Sequence, residues 1–356
     1  MTNLNTKTHF VQSGNALHLQ SSNNFDFLRF FFAFIVILAH LIDLSGLEWL
    51  KPYKLIVDSQ LAVAGFFVIS GHLIYGSYLR SKSVKSYFIN RAKRLLPAYV
   101  LLVLSAPIIL CLMSSYPLQT FWTVSKTYTY ILANLSFLNF LEPCLPGVFT
   151  DNAICAVNGA LWTIKIEIGF YLSIPILVYL MKRFPSKMIF YALLYGSSLC
   201  YHFLIAFMGN HNPEKAALMG LLEHQLPAYF TYFAAGMLLH DFKKECINLP
   251  YYVYIIALCD LVFEYLMGIT ILFPLSIALM VIGFAYRFPV LNRWGKHGDV
   301  SYGIYLIHFP MIQAAVQLGF FQEYPFGLVA ITIIVIVMCL AFISWHLLEK
   351  RFLRMR

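Results

Sequence analysis

The sequence predicts an all-α integral membrane protein with about ten transmembrane helices and with both termini in the cytoplasm. Three observations lead to this fold class. The chain is strongly apolar, with 60% hydrophobic residues, 12% charged residues and a mean hydropathy of +0.73. Apolar segments of membrane-spanning length recur along it, and its basic residues fall in short clusters between them. This composition excludes an ordinary soluble domain.

Ten apolar segments are candidates for spanning helices. They cover residues 26–44, 61–79, 95–113, 161–181, 188–208, 226–240, 251–267, 269–286, 301–320 and 326–348. Residues 1–24 are polar and lack the apolar core and cleavage site of a signal peptide, so we expect a cytoplasmic tail there. The segments predict one membrane domain over residues 25–351, followed by a short basic cytoplasmic tail over residues 352–356.

The basic residues predict the orientation of these segments. With the N-terminus inside, eighteen Lys and Arg residues fall in the inner loops, whereas only Lys51, Lys54, Lys126 and Lys215 fall in the outer loops. This excess is the positive-inside pattern, and it favours an even number of spans with both ends cytoplasmic. The net charge of +9 is therefore a topology signal. We expect a lipid bilayer as a partner and no nucleic acid.

The first segment carries ionisable residues that lipid alone disfavours. Arg29 lies near its start and His40 near its far end, eleven residues later, so the α-helical rise separates them by about 16 Å and returns them to nearly the same face. Asp43 stands three residues beyond His40, within reach of its ring. Such groups usually face the bundle interior and mark a reaction or transport path. The alternative is a snorkelling Arg29 and a His40 at the outer interface.

Two stretches near the predicted inner side have both structural and functional interpretations. In the second segment, Ser70 and Gly71 belong to a run of small residues, for which tight helix packing is the simpler explanation and direct contact with a ligand is the alternative. Arg91 and Arg94 project together just before the third segment. A pair of guanidinium groups binds phosphate well, although membrane anchoring alone explains a basic cluster at this place.

Two further stretches place polar groups at membrane depth. Glu167 lies in the fourth segment at a depth similar to that of His40, where a carboxylate can orient an imidazole. In the ninth segment Tyr302, Tyr305 and His308 recur every three residues and form one polar stripe. Polar side chains at membrane depth cost free energy, so we interpret this stripe as the lining of a functional path.

The longest predicted outer loop, residues 114–160, contains amides, carboxylates and aromatic side chains, a mixture that suits a sugar but is also common in loops. Cys144 and Cys155 lie in this loop, and a disulfide between them is plausible in an oxidising compartment. No zinc-ligand spacing occurs in the chain, so no metal is expected.

Six stretches, in this order, resemble the membrane-bound acyltransferase-3 family of bacterial surface-glycan O-acetyltransferases. They are Arg29 followed after ten residues by His40, FFVISG at 66–71, the pair Arg91 and Arg94 ahead of L-P-x-Y, LWTIKIE ending at Glu167, SYGIYLIH at 301–308, and LLEKRF around Glu349. Any one of them alone is a weak signal, but six in order are hard to obtain by chance.

The resemblance implies transfer of an acyl group, usually acetyl, from cytoplasmic acetyl-CoA to a hydroxyl of a glycan or lipid-linked oligosaccharide, across the inner membrane of a bacterium. O-antigen, capsule and exopolysaccharide are all compatible acceptors. His40 would act as general base or form an acyl-imidazole, with Glu167 or Asp43 setting its tautomer. The residues expected along the donor path are Arg29, Ser70, Arg91, Arg94, Tyr302, Tyr305 and His308.

A transporter or flippase for a glycolipid or small polar solute is the competing interpretation. In such a protein the buried His and Glu side chains would carry protons, and no covalent transfer would occur. Many transporters contain internal repeats, and the Arg-His pattern of the first segment has no counterpart in the later ones.

Overall fold

The computed structural model describes residues 23–354 as a bundle of helices. Within these residues, ten helices have fifteen residues or more, and each overlaps one of the ten predicted segments. They are α1 (Phe25–Leu44), α2 (Ser59–Arg80), α3 (Val84–Leu110), α4 (Trp162–Met181), α5 (Lys187–His211), α6 (Leu226–Asp241), α7 (Tyr251–Met267), α8 (Phe273–Arg287), α9 (Ser301–Gln317) and α10 (Phe326–Ser344). The all-helical architecture is confirmed for this part of the chain. Most of the tail predicted over residues 1–24, and the last two residues of the one predicted over 352–356, lie outside it.

Within residues 23–354, six stretches are long and apolar enough to cross a membrane by length and composition. They are Phe25–Leu44, Glu48–Arg80, Val84–Met113, Gly159–Met181, Lys187–His211 and Phe326–Arg354. The protein is therefore a multi-pass membrane protein. The count of ten crossings and the cytoplasmic position of the termini stay predictions.

The third helix begins earlier than the sequence predicted. Its predicted segment starts at residue 95, but α3 begins at Val84, and Pro97 lies in its interior. Ser83 caps the helix by accepting the backbone N–H of Ser86 at 3.1 Å. The basic residues Arg91 and Arg94 are consequently part of one rigid helix.

The centre of the bundle is the crossing of α2 and α6. A Cβ added at Gly71 would collide with the backbone carbonyl of Phe233, and one added at Gly236 would collide with that of Val68. Only glycine allows the two backbones to approach so closely. The packing explanation of this small-residue run therefore holds for Gly71.

The outer surfaces of the bundle carry large apolar side chains. Ile256 on α7 is 62% exposed and Ile331 on α10 is 63% exposed. A membrane lipid, unlike water, is a favourable neighbour for such surfaces. The polar groups that the sequence singled out lie instead among α1, α2, α3, α4 and α9.

Candidate active site

A cavity of about 920 Å³ lies between α1, α2, α3, α4 and α9. We call it the central cavity. Seven of the ten predicted site residues line it: Arg29, Ser70, Arg91, Arg94, Glu167, Tyr302 and Tyr305. These residues range from position 29 to position 305, so the structure brings together residues that the sequence connected only by pattern.

A wider opening of about 1670 Å³ adjoins the central cavity and shares Arg29, Leu73, Arg91 and Arg94 with it. We call this opening the basic mouth. Its lining contains six cationic residues, namely Arg29, Arg80, Lys85, Arg91, Lys93 and Arg94, and no carboxylate. A concave surface of one charge sign attracts ligands of the opposite sign. The arrangement therefore suits an anionic group such as phosphate.

Asp299 organises two of these arginines. Its carboxylate accepts from Arg29 at 2.9 Å and makes a close ion pair with Arg94. Burial by itself raises the pKa of Asp299, but the two guanidinium groups and a hydrogen bond from Ser301 hold that pKa well below its ordinary value of 3.8. Asp299 thus remains ionised and fixes both arginines at the junction of the mouth and the cavity.

Arg91 has a different environment from Arg29 and Arg94. It donates to the Ser77 hydroxyl at 3.1 Å and its guanidinium lies 5.8 Å from the ring centre of Tyr171, and no carboxylate within residues 23–354 forms an ion pair with it. In addition, the Nε atoms of Arg29 and Arg91 are buried without a hydrogen-bond partner among the described residues. A buried donor left unpaired is costly, and an anionic ligand would satisfy both.

Hydrogen bonds to the protein fix the polar groups along the cavity wall. Tyr302 donates to the carbonyl of Leu95 at 2.9 Å, and Tyr305 donates to that of Ala160 at 3.1 Å. Glu167 accepts from the hydroxyl of Tyr171 at 2.5 Å. The two tyrosines therefore form rigid walls, because their hydroxyls already have protein partners.

His40 and His308 form a hydrogen-bonded pair beyond Tyr305. His40 Nδ1 lies 2.8 Å from His308 Nε2, and the His308 ring centre lies 5.8 Å from that of Tyr305. His308 is fully buried, and its Nδ1 lies 3.2 Å from the carbonyl oxygen of Ile304. Because a carbonyl only accepts, His308 carries its proton on Nδ1, and its Nε2 must accept from His40 Nδ1–H. These two hydrogen bonds leave the lone pair of His40 Nε2 without a partner among the described residues. That lone pair is able to take a proton or to attack a carbonyl carbon.

The two carboxylates expected to orient His40 have other partners. Asp43 forms an ion pair with Lys54 in the segment after α1, and Glu167 is bonded to Tyr171. The residue that accepts the hydrogen bond of the His40 ring is His308, which the sequence placed on the donor path. No sequence signal distinguishes these roles, since residues 40 and 308 are brought together only by the packing of α1 against α9.

The long loop before α4 supports this end of the bundle. Cys144 and Cys155 form a disulfide, as the sequence suggested. Asn158 donates to the carbonyl of Leu306 at 2.8 Å, and Asn152 donates to the side chain of Gln313 at 2.9 Å, so both amides fasten the loop to α9. The amides that suggested a sugar site are structural at these two positions.

Residues 22–346 match the model of the acyltransferase domain named Acyl_transf_3. The chain belongs to the acyltransferase-3 family. It is accordingly an O-acyltransferase of the membrane, as its relatives also indicate. No solved structure matches the chain.

Two relatives resemble this acyltransferase over nearly their whole length. An O-acetyl transferase of Shigella phage Sf6 is 28% identical over 344 residues, covering 94% of this chain and 97% of the relative. Nodulation protein 10 of Rhizobium leguminosarum bv. viciae is 27% identical over 370 residues, covering 94% of each chain. O-acetyltransferase OatA of Staphylococcus aureus is 23% identical over 327 residues, covering 81% of this chain and 50% of that protein. A transporter is not favoured by these similarities.

Proposed function

We propose that this acyltransferase moves an acetyl group from acetyl-CoA, bound at the basic mouth, to a sugar hydroxyl at the His40 end of the bundle. The observation that carries the proposal is the central cavity itself. It connects a cluster of six cations to the tyrosine against which the His308 ring packs. A ligand with an anionic head and a long thin arm fits that shape.

The residues of the mouth suit the head of the donor. Arg91 has no ion-pair partner among the described residues, and the Nε atoms of Arg29 and Arg91 lack hydrogen-bond acceptors. Phosphate oxygens would provide those acceptors. Acetyl-CoA supplies the reactive thioester, while Arg29, Arg91 and Arg94 would hold its phosphates and the walls at Tyr302 and Tyr305 would confine its arm.

His40 Nε2 would act as the general base. It would take the proton of the sugar hydroxyl while the hydroxyl oxygen attacks the thioester carbonyl carbon. The carbon–sulfur bond then breaks, and the thiolate of CoA takes a proton as it leaves. His308 would keep the lone pair of His40 on the reacting nitrogen and would stabilise the imidazolium that forms.

The same lone pair also serves a two-step route. His40 Nε2 would attack the thioester to give an acyl-imidazole and release CoA, and the sugar hydroxyl would then take the acyl group. Rapid quenching of purified protein with acetyl-CoA alone separates the routes. Only the two-step route adds the mass of one acetyl group to the His40 peptide.

Two independent features support the proposed sidedness. The disulfide loop is fastened to the half of α9 beyond His308, and disulfides persist in oxidising compartments outside the cytoplasm. The basic mouth lies at the opposite end, where the positive-inside pattern expects the cytoplasm. We therefore propose that the donor enters from the cytoplasm of a bacterium and that the acceptor binds from the opposite side of the inner membrane.

The direct test is His40→Ala in cells that express the protein, with mass spectrometry of their surface and lipid-linked glycans. We expect the acetylated fraction to fall at least about a hundredfold, because general bases contribute that much or more. His211→Ala is the matched control, since His211 is exposed and its Nδ1 bonds the carbonyl of Phe207 in its own helix. Normal acetylation by a correctly inserted His40 variant would exclude His40 from the reaction.

A further inference from the structure

A second cavity lies at the His40 end of the bundle, where α2, α6 and α8 begin and α7 ends. Its volume is about 580 Å³. Its lining includes polar and aromatic residues, and we call it the tyrosine cavity. These residues are Asp58, Gln60, Tyr229, Tyr232, Glu264 and Tyr265. Nothing in the proposed donor path uses it.

Several polar groups of the tyrosine cavity are engaged by the protein. Glu264 accepts the backbone N–H groups of Leu272 and Phe273 at the start of α8. Tyr265 donates to the carbonyl of Leu55 at 3.1 Å, and Asp58 accepts the N–H of Gln60 at 2.7 Å as the cap of α2. These contacts build the walls of the cavity.

The hydroxyls of Tyr229 and Tyr232 are not engaged in this way. Their rings are held in place, because Tyr229 packs on Phe67 at 5.0 Å between ring centres and Tyr232 packs on Phe273 at 6.4 Å. Yet neither hydroxyl has a hydrogen-bond partner in the part of the chain that the structure describes. Two oriented hydroxyls in one cavity indicate a polar ligand.

The charge of the lining restricts the chemistry of that ligand. Two carboxylates, Asp58 and Glu264, line the cavity and no Lys or Arg does. Phosphate groups of lipids or of CoA are therefore disfavoured. Aromatic rings, hydroxyls, a carboxylate and the amide of Gln60 suit a neutral sugar, which offers apolar ring faces and many hydroxyls.

The tyrosine cavity also lies against the central cavity. Val63 lines the central cavity, and its neighbour Ala64 lines the tyrosine cavity. Phe67 lines the central cavity and contacts Tyr229. α2 and this pair of rings lie between the two spaces, so the tyrosine cavity is a separate site close to the central cavity, where one unit of a longer acceptor can bind while another unit reacts.

We propose that the tyrosine cavity binds a neutral sugar unit of the acceptor through the hydroxyls of Tyr229 and Tyr232 and the carboxylate of Asp58. The inference rests on the proposed function, because the acceptor is taken to be a glycan. It assigns these three residues to acceptor binding, distinct from the donor residues of the mouth.

The test is the double variant Tyr229→Phe and Tyr232→Phe, with two measurements. One is the rate at which glycans of expressing cells gain acetyl groups after induction, followed by mass spectrometry. The other is binding of radiolabelled acetyl-CoA to purified protein in detergent. We expect each lost hydroxyl to slow acetylation by about threefold to tenfold, with the affinity for acetyl-CoA unchanged. Tyr179→Phe is the control, since Tyr179 is exposed on α4 and contacts Arg183.

Asp58→Asn is a second variant, and it keeps the cap of α2. The amide oxygen still accepts the Gln60 N–H, so α2 stays capped, while the charge that would bind a sugar hydroxyl is lost. Acetylation within twofold of wild type in both variants would overturn the proposal, and so would a parallel loss of acetyl-CoA binding. Failure of the proposed function looks different, because the wild-type protein would then add acetyl to no glycan.

Discussion

The basic mouth at one end of the central cavity and the histidine pair beyond its other end hold their key side chains by different means. At the mouth, ion pairs hold the side chains in place, because the ionised carboxylate of Asp299 binds Arg29 and Arg94. At the far end, His40 is held by a relay of neutral hydrogen bonds that runs through His308 to the carbonyl of Ile304. A charge network suits the binding of an anion, whereas a neutral relay suits a base that must keep its lone pair.

This difference separates the effects expected of substitutions. Changes at the mouth should alter the apparent affinity for acetyl-CoA and leave the turnover of bound donor nearly unchanged. Changes at the histidine pair should do the reverse.

The largest effect after His40 itself is expected at His308. His308→Leu removes the acceptor of the His40 Nδ1–H, so we expect kcat to fall about tenfold to a hundredfold with the KM for acetyl-CoA unchanged. His308→Gln retains an acceptor oxygen near the position of Nε2 and should recover most of the rate. A purely structural role for His308 predicts equal losses in both variants, together with a lower thermal stability.

At the mouth, the clearest variant is Arg91→Ala. Because Arg91 has no carboxylate partner among the described residues, its loss removes a phosphate contact without leaving an unpaired acid. We expect the KM for acetyl-CoA to rise about tenfold with kcat within twofold of wild type. Arg183→Ala removes the same charge from the exposed end of α4 and should change neither constant.

A smaller effect is expected for Asp299→Asn. The amide releases Arg94 and loosens Arg29, which keeps its ion pair with Asp26, so the KM for acetyl-CoA should rise about threefold to tenfold and thermal stability should fall. The exposed loop residue Asp151, changed to Asn, is the control.

The difference in stability between wild type and Asp299→Asn should depend on pH in a defined direction. The Arg29 and Arg94 guanidiniums depress the pKa of Asp299 despite its burial, so its contribution is fully present above the ordinary value of 3.8 and is lost only as pH falls toward the lower folded value. The stability gap between wild type and Asp299→Asn should therefore be constant from about pH 8 to about pH 5. A gap that closes within this range would show that Asp299 is not held ionised.

The smallest effect on donor binding is expected from the disulfide. Changing Cys144 and Cys155 together to Ser should lower the stability of the loop by about 2–3 kcal/mol, measured by thermal unfolding under oxidising conditions. Acetyl-CoA binding should not change, because the loop contacts α9 beyond the histidine pair. Cys259→Ser, at an exposed position on α7, should have neither effect.

Much of the fold was predictable because lipid imposes simple rules on sequence. A helix that satisfies its own backbone hydrogen bonds is the main solution for an apolar segment of membrane length, so the ten segments coincide with ten helices. The start of α3 was not predictable from apolarity, since four of its first eleven residues are basic and interrupt the apolar pattern ahead of the predicted segment.

The candidate site likewise has features that the sequence predicted and features that only the structure shows. Ionisable residues within apolar segments are rare and costly, so the sequence alone predicted an interior path at Arg29, His40, Glu167 and His308, and Arg29 and Glu167 line the central cavity. Which of them touch is a property of helix packing. The contact between residues 40 and 308, and the bridge from Asp299 to Arg29 and Arg94, join positions more than two hundred residues apart. No local pattern encodes such pairings, because they depend on the rotation and depth at which α1, α3 and α9 meet.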